Sequence, residues 1–70
     1  MPKFEVAIFN QKVRDLMKDG EKHKHLDDSW ADIHYIEIEA SSAAAARSKI
    51  TTRHSAHEGY VIVHVDPVDD

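Results

Sequence analysis

From Lys3 to Phe9 the chain alternates, with Phe4, Val6 and Ile8 on one side of a period of two and Glu5, Ala7 and Phe9 on the other. That period, carried by branched and aromatic residues, predicts a first strand over Lys3–Phe9. The spacing then changes. Val13, Leu16 and Met17 fall at i, i+3 and i+4, which predicts a short helix over Gln11–Asp19, capped by Asn10 and stopped by Gly20. A helix this short depends on tertiary packing. Glu21–Ser29 is charged and aperiodic and reads as a surface loop. Trp30, just after it, is expected to pin that loop to the edge of the core, because a large aromatic contributes more burial than its neighbours.

Alternation returns from Ile33 to Ala40, with His34, Ile36, Ile38 and Ala40 on one face and Ile33, Tyr35, Glu37 and Glu39 on the other. The alanine-rich run Ser41–His54 predicts a second helix, with Ser41 or Ser42 as its cap. Ala43, Ala46 and Ile50 form a stripe of small side chains that allows close approach to a sheet, leaving Arg47, Lys49 and Arg53 mainly toward solvent. A loop over His54–Gly59 precedes a third strand, Tyr60–Val65, which Pro67 ends. Residues 66–70 read as a flexible acidic tail.

The order β-α-β-α-β in a single domain over residues 1–70 predicts a small α+β fold: a three-stranded mixed sheet with both helices packed on one face. The second and third strands, joined by a crossover helix, should run parallel. The first strand is expected antiparallel to them, and its apolar character on both faces favours the central position. With Phe4, Val6, Ile8, Ile36, Ile38, Val61, Val63 and Val65 turned to the helices, the opposite face would carry Phe9, Tyr35, Glu37, Tyr60, Ile62 and His64 beside Glu5 and Ala7. An apolar patch rimmed by charge is suited to a protein contact, of which a two-fold homodimer is the commonest form. His64 could make such a dimer pH-dependent.

Length and charge sharpen this expectation. A chain of 70 residues buries only about 60% of its unfolded surface, so support from a partner subunit would be useful. There is no cysteine, which removes disulfides and thiolate metal sites and fits a reducing, cytoplasmic setting. The apolar runs fall short of membrane-spanning length. The net charge of −4 with neutral histidines argues against a nucleic-acid or anionic-membrane binder. Adding the charges of six protonated histidines to −4 gives +2, so the sign reverses through the usual imidazole pKa of about 6.5.

Other chemistry has thinner support. His23 and His25, with Asp27 and Asp28 behind them, and His54 with His57 offer residue types that bind zinc, nickel or copper. The spacing matches no composite metal motif, so solvated histidines and no cofactor are the expectation. Ser55 lies among His54, His57 and Glu58, but sequence neighbours rarely converge as a triad, and a domain this small has little room for a cleft. An enzyme is therefore not expected. Arg47, Lys49 and Arg53 could join Lys12, Arg14 and Lys18 as a basic stripe for nucleic acid if the helices lay side by side. The sequence thus points first to a small protein-interaction or oligomerisation module, such as an accessory subunit, and second to a weak nucleic-acid- or metal-binding module.

Overall fold

The computed structural model describes residues 2–68. Its elements are β1 (Lys3–Asn10), α1 (Gln11–Lys18), β2 (His34–Glu39), α2 (Ala43–Arg53) and β3 (Tyr60–Val68), with 3-10 turns at Asp28–Ala31 and Ala56–Glu58. The strand order is β2-β1-β3, and β1 is antiparallel to both neighbours. β2 and β3 therefore point the same way, as a crossover requires, but β1 separates them. The sheet expected to be mixed is antiparallel at every hydrogen-bonded pair, in an α+β fold of order β-α-β-α-β.

α2 supplies the cover. Ser42 caps it by accepting from the Ala45 N–H at 3.1 Å, and its buried Ala46 and Ile50 face the sheet. Ile50 joins Val6, Ile8 and Tyr60 in the main core, while Ala46 packs with Phe4 and Ala40. The small Ala46 lets the helix backbone approach the sheet closely, and Ile50 fills the space one turn later. Trp30 packs against the edge of this core, as its position after the charged loop predicts.

α1 closes one end of the sheet. It leaves β1 without a connecting loop and packs chiefly on the 3-10 turn Asp28–Ala31. At its C-terminus Gly20 adopts φ +73°, and the Gly20 and Glu21 N–H groups donate to the Met17 and Leu16 carbonyls at 3.1 and 2.7 Å. These two bonds form a Schellman stop, which satisfies carbonyls that the helix itself leaves free. At its N-terminus the fully buried Asn10 bonds in two directions. Its Oδ1 accepts from the Val13 N–H at 3.1 Å, and its Nδ2 donates to the Glu58 carbonyl at 3.0 Å. The Gln11 N–H donates to the Gly59 carbonyl at 2.7 Å. The β1–α1 junction is thereby tied to the turn that starts β3.

Two features of β3 differ from expectation. Its pairing with β1 continues through Asp66, Pro67 and Val68, opposite Glu5, Phe4 and Lys3. Residues 66–68 are thus strand and not tail, and 69–70 lie outside the described residues. Pro67 is tolerated because β3 is an edge strand. The second difference is a register shift. Ala7 pairs with His64, whereas Ile8 pairs with Ile62, so Val63 is an extra residue in a β-bulge. A bulge breaks the period of two, and the consequence is a reversal of faces along the first part of β3.

Candidate interaction surface

The sheet face turned away from α2 is arranged in rows across the strands. Lys3 lies between Glu39 and Val68, Glu5 between Glu37 and Asp66, and Ala7 between Tyr35 and His64. Phe9 pairs with Val61, and Ile33 continues the alternation at the start of β2. The surface therefore changes character along β1, from charged near Lys3 to apolar near Phe9.

Each row has its own chemistry. Glu5 stands directly opposite a carboxylate on both sides, an arrangement that costs stability because like charges across strands repel. His64 Nε2 approaches Asp66 Oδ2 at 3.2 Å. In the next row the Tyr35 and His64 rings stand 6.3 Å apart between centroids, flanking Ala7, which has no exposed surface. The small Ala7 side chain is therefore covered at the middle of the face.

The exposed apolar residues concentrate here. Tyr35 is 61% exposed, Val63 48%, Ile33 41% and Val61 39%, and Met17 on α1 is the remaining exposed large hydrophobic residue among those described. Tyr35, Glu37 and His64 occupy the face where the sequence places them. Phe9 also points this way but is only 8% exposed, because the Arg14 guanidinium lies over its ring at 3.7 Å from the centroid. Arg14 is held there by two bonds from its Nε and Nη2 to the Ala31 carbonyl, at 2.9 and 2.8 Å.

Tyr60 and Ile62 are the corrections. Both lie on the helix-covered side, Tyr60 within the core and Ile62 packed against it, because the bulge at Val63 shifts the alternation by one. Val61 takes the open-face position instead, opposite Phe9. Burial and, secondarily, the charge of Glu58 raise the Tyr60 phenol above its ordinary pKa of 10.0. Sequence reasoning missed Val61 and Val63 as surface residues. Val61 and Val63 carry no glycine or other bulge signal, whereas Ile33 shares the alternation of Tyr35 and was placed on this face by it.

Apart from His64, the histidines divide between two places. His54 stands 5.4 Å from Trp30 and 4.8 Å from Tyr60 between ring centroids, on the edge of the core, where Trp30 also stacks on His34 at 4.2 Å. His23, His25 and His57 line a groove of about 390 Å³ with Lys12, Leu26 and Glu58. Within it His23 Nδ1 already accepts from the His25 and Leu26 N–H groups at 3.0 and 3.1 Å. Among the described residues no group of three or more His, Cys, Asp or Glu is placed to hold a metal ion. The Ser55 hydroxyl accepts from the His57 N–H at 3.1 Å and caps the turn Ala56–Glu58.

The helix cations are also partly engaged. Arg47, Lys49 and Arg53 are exposed, but Lys49 Nζ donates to the Glu39 carbonyl at 2.7 Å and Lys12 Nζ to the His57 carbonyl at 2.7 Å. α2 rests mainly on β1 and β3, whereas α1 rests mainly on the turn Asp28–Ala31, so the two sets of cations belong to different neighbourhoods. No helix among the described residues is long and apolar enough to cross a membrane. Comparison with protein-family models, with curated proteins and with solved structures finds no match.

Proposed function

We propose that this protein is a small interaction or oligomerisation module that binds another protein surface through the uncovered face of its sheet, in a reducing, cytoplasmic setting. The observation that carries this reading is the segregation of exposed apolar side chains: Ile33 just before β2, Tyr35 on β2, and Val61 and Val63 on β3, against Met17 alone elsewhere among the described residues. Scattered single hydrophobic residues are ordinary on a protein surface, whereas a grouped set rimmed by charge marks a contact site. The cysteine-free composition supports the compartment.

Tyr35 is the residue to change, since it is the most exposed of the set. Sedimentation velocity over a dilution series should show a self-associated or partner-bound species that Tyr35→Glu weakens by about tenfold or more, since exposed aromatic anchors commonly dominate an interface. The circular dichroism spectrum should remain native. Association that depends on chelator or on the helix cations, and ignores Tyr35, would favour the metal- or nucleic-acid-binding alternative instead.

A further inference from the structure

The geometry points to a second copy of this chain as the occupant of the uncovered face, packed end for end so that Asp66 of each copy meets His64 of the other. This inference rests on the contact-surface reading above and adds to it the identity and orientation of the partner. It follows from the order of the rows. Glu5, Glu37 and Asp66 form one row, and Ala7, Tyr35 and His64 form the next, on the same three strands.

Two ways of stacking a pair of such faces about a two-fold axis in the sheet plane keep the strands aligned. With the axis along the strands, each row meets its own copy, so Glu5 faces Glu5 and Glu37 faces Asp66. Bringing carboxylates together away from water is heavily penalised. With the axis across the strands and between the two rows, each strand faces its own copy running the opposite way. Glu37 then faces the Tyr35 hydroxyl of the other copy, Asp66 faces its His64, and Glu5 lies over its Ala7 row, between the Tyr35 and His64 rings. No carboxylate of the row then faces another carboxylate of that row.

The same operation explains what the monomer leaves unbalanced. Glu5 has a like charge directly opposite on both neighbours, and His64, whose side chain is 40% exposed, reaches Asp66 on its own strand alone. A complementary pattern repeated at the spacing of adjacent rows is what an isologous interface requires, because each patch must match itself after the rotation. Aligned sheets stack about 10 Å apart, close enough for side chains of the facing rows to interdigitate.

Charge changes on the full chain test the orientation. His64→Glu sets an acid against Asp66 of the other copy, and Asp66→Lys takes away the acceptor that faces its His64, so each variant alone should dimerise about tenfold or more weakly, as expected when a facing pair loses its complementarity. An equimolar mixture of the two should recover a heterodimer, because Glu at 64 in one chain then meets Lys at 66 in the other. Tyr35 supplies an independent check that leaves that pair intact: Tyr35→Lys, facing Glu37, should weaken the dimer far less than Tyr35→Glu. Sedimentation velocity reads all of these, with circular dichroism confirming the fold of each chain. A wild-type dimer that Tyr35→Glu disrupts, but that the mixture fails to restore and in which Tyr35→Lys is as damaging as Tyr35→Glu, overturns the end-for-end arrangement while keeping the surface. A dimer indifferent to Tyr35→Glu overturns the surface itself, and a wild-type chain that stays monomeric at high micromolar concentration overturns the second copy as occupant.

Discussion

At the scale of single residues, the junction between Asn10 and Gly59 shows most clearly how sequence becomes structure. Gly59 sits at φ +98°, and a Cβ there would lie 2.6 Å from Lys12 Cγ and 2.8 Å from Asn10 Oδ1. Both the backbone conformation and the space demand glycine. Gly59→Ala is therefore expected to lower stability by about 1–3 kcal/mol, the usual cost of a strained non-glycine backbone, as a fall in the urea midpoint without a change in slope. Asn10 was legible as a helix cap, but its second bond, to the Glu58 carbonyl, joins residues far apart in the chain and leaves no local signal. Tyr60 gives a prediction in pH. Its phenol ionises above the ordinary value of 10.0 because of burial and, secondarily, Glu58, so folding favours the neutral form. That contribution is fully present below about pH 10, the unfolded phenol's pKa, and is lost as pH rises through the higher folded value. Unfolding measured between pH 8 and pH 11.5 should show a decline above about pH 10 that Tyr60→Phe makes shallower; an unchanged slope in that variant would contradict the assignment.

At the scale of elements, α2 and β3 make opposite points. The alanine run, the serine cap and the stripe through Ala46 and Ile50 are local features, and the helix forms at Ala43–Arg53 on that basis. Its packing gives a paired test. Ile50→Ala should cost about 2–5 kcal/mol by opening a cavity, and Ala46→Leu about 1–3 kcal/mol by forcing the helix off Phe4. Both show in denaturant unfolding, and a neutral Ala46→Leu would mean that the helix does not lie close to the sheet. β3 was legible as a strand but not as a surface. Its run Tyr60-Val-Ile-Val-His-Val is apolar at nearly every position, so alternation could not say which side faces the core, and the bulge at Val63 decided it by placing Tyr60 and Ile62 inside. Likewise Pro67 marked an end that the free edge of the sheet made unnecessary.

At the scale of the whole molecule, one sheet has a covered face and an open one, and the two differ in what they do. The covered face holds the chain together through Val6, Ile8, Ile50 and Tyr60. The open face carries exposed Tyr35 and Val61 beside Glu5, which has an acid opposite it on both neighbouring strands, features that cost the isolated chain and that fit the proposed contact with another surface. β1 could be read from sequence on both sides, because its alternation is unbroken and the central position follows from its apolar character. What could not be read is how the rows align across strands, since register belongs to pairing and not to any one strand. The most direct test is the association state of the purified chain and of Tyr35→Glu, followed by sedimentation velocity from low to high micromolar concentration. A concentration-dependent dimer that the substitution weakens about tenfold or more, with the fold intact, is the predicted result. Identical sedimentation of the two chains across the series would contradict the assignment of this face as a contact surface for a second copy.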